Sequence, residues 1–163
     1  MVVECVMTFM NMGCRVSLCE FDSIFLEKSW IWLNDPYINY YSAIGLISRK
    51  EQLEWFNSLR ERSDYMIWGV KYQDTPIGAC GLKNIENKQA EYWGYIGERA
   101  LHGKGLGYEM LTLVLAKAKE MCFSQVVLKV LLDNQRAIRL YQKCFFDEFN
   151  RDNNLSLIHI SEP

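Results

Sequence analysis

An excess of positive charge is the first thing this 163-residue sequence lacks: 18 Lys and Arg stand against 20 Asp and Glu, for a formal net charge of −2. Lys and Arg are scattered, with no basic stripe and no polybasic run, which argues against a nucleic-acid or membrane-surface partner. The first ten residues are mostly apolar but carry no Lys or Arg, so the positive start of a secretory signal is missing. No apolar run approaches the length of a membrane-crossing helix. With further Met residues at Met7, Met10 and Met12, residues 1–14 read as a frayed or misplaced N-terminus. The six cysteines (Cys5, Cys14, Cys19, Cys80, Cys122, Cys144) contain no C-x-x-C pair. Neither His102 nor His159 stands at zinc-ligand spacing from them, which argues against a metal site. Reduced thiols in a cytoplasmic protein, several of them buried as small apolar groups, are the expectation. Linkers, repeats and low-complexity segments are also absent, so residues 15–154 are expected to form one domain.

What is present is apolar material: 50% of residues are hydrophobic and 13% aromatic, enough for a substantial core. Arg15 to Phe21 alternates as a strand. Asp22-Ser23 caps a helix carrying Ile24, Phe25, Trp30, Ile31 and Leu33, which Asn34-Asp35-Pro36 is expected to stop. Ser48-Arg49-Lys50-Glu51 is a capping box opening a second helix with Leu53, Phe56 and Leu59 on its apolar face. Tyr65 to Tyr72, Ile77 to Leu82 and Ala90 to Ile96 are strands with short connections, an antiparallel meander. A long helix then places Leu106, Met110, Val114, Ala118 and Met121 inward, and Glu109, Lys117 and Lys119 outward. Val126 to Leu132 is expected to be a strand buried on both faces. Asn134 to Lys143 is a last helix, and Phe145 to Phe149 a short strand. A meander followed by β-α-β-α-β predicts one mixed α/β domain.

Between the meander and the long helix lies Gly103-Lys104-Gly105-Leu106-Gly107. Alternate glycines let backbone amides converge on an anion, and the helix N-terminus beyond adds its dipole and unpaired N–H groups. Lys104 adds charge. A Walker loop needs a Gly-Lys-Ser/Thr ending that is absent, and alternating glycines do not meet the G-x-G-x-x-G dinucleotide fingerprint.

His102-Gly103-Lys104-Gly105-Leu106-Gly107 resembles the Q/R-x-x-G-x-G/A loop of the GNAT superfamily of N-acetyltransferases. Asn134-x-x-Ala137-Ile138-x-Leu140-Tyr141 is similar to the N-x-x-A-x-x-x-Y segment that follows the family's fifth strand. Trp32 to Pro36 and Gly94-Tyr95-Ile96-Gly97 look like the ribosomal-protein-acetyltransferase (Rim) branch and its relatives acting on amino sugars. The likeness runs from about Arg15 to Phe146.

The resemblance implies a GNAT-like fold with a splayed central strand pair and acetyl-CoA as the acetyl donor. It implies that amides of Gly103 to Gly107, Leu106 among them, hold the pyrophosphate. Backbone at Tyr95 and Ile96 would pair with the pantetheine, Asn134 and Ala137 would flank the coenzyme arm, and Tyr141 would protonate the departing thiolate. A phenol, with a pKa near about 10, is reliably protonated at neutral pH. The acceptor would be a primary amine of a small molecule, such as an amino sugar, or of a protein N-terminus, attacking the thioester directly. Glu91, grouped by strand alternation with Trp93 and Tyr95, is the candidate base, with Glu98 second. On the residues alone Glu91 also fits a solvated strand carboxylate, and Tyr141 a core tyrosine. Cys144 has no His or acid partner for a covalent route and reads as a buried thiol. Tyr37 to Tyr41 are candidates to line the acceptor cleft. A non-catalytic acyl-CoA-binding module of the same fold is the alternative function, and the sequence leaves self-association open.

Three features depart from the family pattern. His102 stands where relatives carry Gln or Arg. Phe145 stands where they carry a Gly, so the turn after Cys144 is expected to differ. Leu155 to Pro163 resembles the translation of a sequencing-library adapter, which marks it as a non-native tail, although its apolar alternation also permits a final strand.

Overall fold

The computed structural model describes residues 14–42, 44–144, 146–152 and 155–161, with 147–152 and 155–161 described as backbone alone. The expectation for residues 1–14, except Cys14, and the expectation for Phe145 lie outside the described residues. Seven strands form one mixed sheet in the order β1-β2-β3-β4-β5-β7-β6. β1 (Val16–Glu20), β2 (Met66–Tyr72), β3 (Thr75–Glu86) and β4 (Gln89–Ile96) run antiparallel as a meander. The turns are built by consecutive left-handed residues, Gln73 with Asp74 and Asn87 with Lys88, which match the twist of a hairpin. The second strand of the central hairpin therefore starts earlier, and the first ends later, than residue type suggests: Asn84 to Glu86 belong to β3.

β5 (Gln125–Leu131) lies parallel to β4, joined through the helix α4 (Leu106–Glu120). The two strands pair only from Gln89↔Gln125 to Tyr92↔Leu128. β4 continues to Ile96 without a β5 partner, which is the splay expected of the central pair. After α5 (Gln135–Lys143) come β6 (Asp147–Asp152) and β7 (Leu155–Ser161), and β7 pairs antiparallel with β5 along its whole length. The final segment thus supplies the strand that its alternation permits.

Each face of the sheet has a core. On one, α4 buries Leu106, Met110, Leu111 and Val114 against Val70, Leu82, Tyr92 and Leu128, each worth about 1.5–3 kcal/mol of apolar transfer. On the other, α1 (Ser23–Leu33), α2 (Pro36–Ser42) and α3 (Arg49–Ser58) cover Ala79 and Tyr95. Gly69 permits this approach, because the Phe25 ring occupies the place a Cβ would take.

The caps form as expected: the Asp22 carboxylate accepts from the N–H groups of Ile24 and Phe25, and Ser48 with Glu51 completes the capping box. The apolar faces differ in detail. Phe25, Leu26, Ser29 and Trp32 are the buried side of α1 while Ile24 and Ile31 are exposed, and in α3 Gln52 is buried and Leu53 is not. Gln52 is held inside by donating to Ser29 Oγ at 2.9 Å and the Leu26 carbonyl at 3.2 Å. In α4, Glu109 is buried rather than outward and Met121 is exposed. β5 alternates, with Val126, Leu128 and Val130 buried and Lys129 exposed, so only one of its faces is covered. Pro36 does not end structure but opens α2, where a proline at the first helical position costs no hydrogen bond.

Candidate active site

Gly103 and Gly105 adopt left-handed backbone, φ +76° and +78°, so the loop requires glycine at both positions. Gly105 caps α4 with no side-chain hydrogen bond, and the first amides of a fifteen-residue helix are left without intrahelical partners. They open on a cleft of about 770 Å³ lined by Gly103, Gly105, Leu106 and Gly107, with Arg136, Arg139 and Lys143 on the far wall. Those three cations lie at spacings of three and four along α5, on its exposed side. Uncapped amides facing a basic stripe suit a pyrophosphate and a further phosphate. The stripe is readable in the sequence as basic residues at helical spacing beside Leu140, but composition hides it because the chain as a whole is slightly acidic.

The loop is fixed from two sides. His102 Nε2 donates to the Ile96 carbonyl at 2.7 Å, which ties the loop to the end of β4. Burial lowers the His102 pKa, with Arg136 and Arg99 acting the same way against the raising effects of the Ile96 bond and Asp35. From the other side Arg15, at the start of β1, reaches Glu109 in the first turn of α4. Its Nε and Nη2 donate to Oε2 at 2.9 and 2.6 Å, its backbone N–H donates to Oε1 at 2.6 Å, and Nη2 also donates to the Lys104 carbonyl at 2.7 Å. This is why Glu109 faces inward. No local pattern announces a pair separated by 94 positions.

The glycine-loop cleft continues into a neck between the splayed strands, walled by Tyr92, Gly94, Asn134, Ala137 and Tyr141. Asn134 caps α5, its Oδ1 accepting from the Ala137 N–H at 3.2 Å. Burial pushes the Tyr141 pKa up to about 12. Tyr92 is fully enclosed, and its hydroxyl lies over Gly94, where a Cβ would stand. α2 closes the neck from above. It is anchored by an Arg99–Asp35 ion pair at 3.5 Å and by the Tyr40 hydroxyl donating to Asp133 Oδ2 at 2.7 Å. Tyr37 and Tyr41 thus line the neck, while Tyr40 serves as a tie. The Ile96 carbonyl is engaged by His102, so Trp93 to Tyr95 is the stretch of β4 that faces the gap.

Beyond the neck lies a second cleft of about 690 Å³ between the sheet and α1 to α3, lined in part by Trp55, Tyr65, Trp93, Tyr95, Glu91 and Tyr141. Glu91 is only 7% exposed, which overturns the reading of it as a solvated carboxylate. Asn84 Nδ2 donates to Glu91 Oε2 at 2.9 Å, and Lys83 and Lys129 stand at 3.6 and 3.9 Å from its two oxygens. Glu98 instead accepts from Trp32 Nε1 at 2.9 Å and lines neither the neck nor this cleft. The Trp93 indole lies over Gly81, and its Nε1 is buried without a partner among the described residues. Cys144 is buried with its pKa pushed up to about 12 by burial, which makes it a poor nucleophile.

An anion cradle that leads through a parted sheet to a buried phenol defines an acyltransferase working on a coenzyme thioester. The model of the Acetyltransferase (GNAT) family matches residues 27–146, and the chain belongs to that family, with acetyl-CoA as donor. It is similar to the acetyltransferase PseH of Campylobacter jejuni subsp. jejuni serotype O:23/36, at 26% identity over 134 residues covering 82% of this chain and 83% of that protein. Among solved structures, spermidine N-acetyltransferase from Vibrio cholerae in complex with CoA and spermine aligns with a TM-score of 0.83 at 20% identity, covering 91% and 96% of the two chains. Campylobacter jejuni N-acetyltransferase PseH in complex with acetyl coenzyme A aligns at 0.69 and 22%, covering 91% and 99%. At those identities the structural likenesses show the fold. No helix among the described residues is long and apolar enough to cross a membrane.

Proposed function

We propose that the protein moves the acetyl group of acetyl-CoA to the primary amine of a small molecule, with an amino sugar as the leading class, by direct attack on the thioester. The observation that carries this reading is the continuity of donor cleft, neck and acceptor cleft, with Tyr141 lining both the neck and the acceptor side. In this reading the amides of Gly103 to Gly107 bind the pyrophosphate. Backbone of β4 from Trp93 to Tyr95 runs along the coenzyme arm, with His102 fixing the loop through the Ile96 carbonyl, and Asn134 and Ala137 form the wall beside it. Tyr141 gives its proton to the leaving thiolate. An ammonium has no lone pair and must lose a proton first; in this reading Glu91, which lines the acceptor cleft, takes it directly or through water.

The ion pairs that hold Glu91 favour a second reading, a module that binds acyl-CoA without turning it over. Thiol release from acetyl-CoA, followed against a panel of amines, peptides and amino-sugar nucleotides, separates the two. Acetyl transfer to at least one amine, lost in Tyr141→Phe, is the expected result. Coenzyme binding with no transfer to any amine would establish the binding module, and absence of coenzyme binding would remove both readings.

A further inference from the structure

We propose that Lys83 and Lys129 form an anion-binding subsite in the acceptor cleft, so that the amine acceptor carries a phosphate or carboxylate. The inference rests on the acetyl-transfer reading and specifies its substrate. Lys83 on β3 pairs in register with Glu91 on β4, and Val127, two residues before Lys129, pairs with Glu91 from β5. Side chains at paired positions share a face, as do those two apart on one strand. All three charges therefore stand on the face that bounds the acceptor cleft, and all three line it.

Their exposure differs in the way an anion site requires. The Glu91 side chain is 9% exposed, while those of Lys83 and Lys129 are 39% and 51% exposed. One buried carboxylate is thus overlaid by two open ammonium groups, and the surface presented to an acceptor has a net positive charge. The other ions of the cleft do not offset it. Arg62 is matched by a bidentate pair with Asp64. Glu51 is spent on the N-terminus of α3, accepting from the Ser48 N–H at 2.6 Å.

Beside this charge, on the same face of β4, the lining turns aromatic. Trp55 with Tyr65, Tyr65 with Trp93, and Trp93 with Tyr95 succeed one another at ring separations of 6.1, 6.1 and 6.4 Å. Such a surface takes the flat face of a sugar or base. A polyamine finds no unmatched carboxylate here, whereas an amine with an anion beyond its ring finds both halves of its chemistry met.

The test compares glucosamine, glucosamine 6-phosphate, a nucleoside-diphosphate-linked amino sugar and spermidine as acceptors at low ionic strength. The anionic acceptors are expected to exceed glucosamine in kcat/KM by about tenfold or more, the scale of one charge-assisted hydrogen bond, with spermidine slowest. Which anionic acceptor leads distinguishes a sugar phosphate from a nucleotide. The advantage should shrink as KCl is raised, and Lys83→Met and Lys129→Met should each cut the anionic-to-neutral ratio. A neutral acceptor or spermidine in first place, or lysine variants that leave the ratio intact, would overturn the subsite. Should no amine be acetylated while acetyl-CoA still binds, the transfer reading fails. Equilibrium binding of glucosamine 6-phosphate against glucosamine, with and without the two lysines, then decides the subsite by itself.

Discussion

A tyrosine whose pKa is pushed up to about 12 by burial keeps its proton through any pH at which the enzyme would be assayed, so Tyr141 is available as an acid throughout. The pH dependence of the reaction must then come from elsewhere. Activity is expected to rise with pH as the acceptor ammonium loses its proton, with no alkaline decline from Tyr141 below about pH 10. Tyr141→Phe should lower kcat by about a hundredfold or more while the KM for acetyl-CoA stays within about twofold. Steady-state rates from pH 6 to 10 check both statements, and an unchanged kcat in the variant would remove Tyr141 from the chemistry. His102 obeys the opposite sign. Burial lowers its pKa, so the unfolded chain takes up the proton first as pH falls. Its contribution to stability is complete above the ordinary histidine value of about 6.5 and is lost as pH falls through the lowered one. Thermal melts should show a midpoint that drops on acidification below about pH 6.5, and drops less in His102→Gln. Tyr141 and the glycines were legible in the sequence because their signals are local spacings. Arg15 was not, since its significance lies in a partner that only the fold brings near.

Elements show the same division between local and distant information. The Asp22 cap, the Ser48–Glu51 capping box and the hairpins follow from neighbouring residues, and they form as the sequence indicates. Hydrophobicity alone does not set the faces of α1 and α3, where a buried hydrogen bond wins over an apolar side chain: Gln52 lies inside and Leu53 outside. α4 is the instructive helix, because its first turn, which on the proposed reading presents amides to a phosphate, also carries a carboxylate. Glu109 at that position would repel the ligand were it not paired, and Arg15 both neutralises it and holds the Lys104 carbonyl. The pair holds the loop in place, and on the proposed reading it acts on the phosphates and not on the thioester. Arg15→Ala is expected to raise the KM for acetyl-CoA by about tenfold, the worth of one charged hydrogen bond. Acetyl-pantetheine, which lacks the nucleotide and pyrophosphate, should be used as well by the variant as by the parent. Equal losses with both donors would show a general structural role instead.

Across the whole molecule, function depends on a sheet that is continuous at one end and parted at the other. The cleft proposed for the donor lies where α4 and α5 meet on one face and that proposed for the acceptor under α1 to α3 on the other, and the parting between β4 and β5 is what joins them. That parting requires β5 to be held from its outer side, because its pairing with β4 stops at Leu128. The hold comes from β7, whose residues Leu155 to Ser161 pair with Leu131 back to Gln125 without a break. Removing the strand would leave β5 with a bare edge and β6 with no neighbour, and an uncovered edge recruits other chains. A chain ended at Asn154 is expected to melt at least about 5 °C lower, as follows from losing a few kcal/mol in a domain of this size. It should also elute partly as higher-mass species in size-exclusion chromatography. Its kcat should fall more than its affinity for acetyl-CoA, because the phosphate cradle is built by α4 and α5 while Tyr141 and the acceptor wall depend on where β5 stands. Calorimetry, chromatography and steady-state kinetics on the two chains decide the matter: identical melting and turnover would mean that β5 keeps its place without β7.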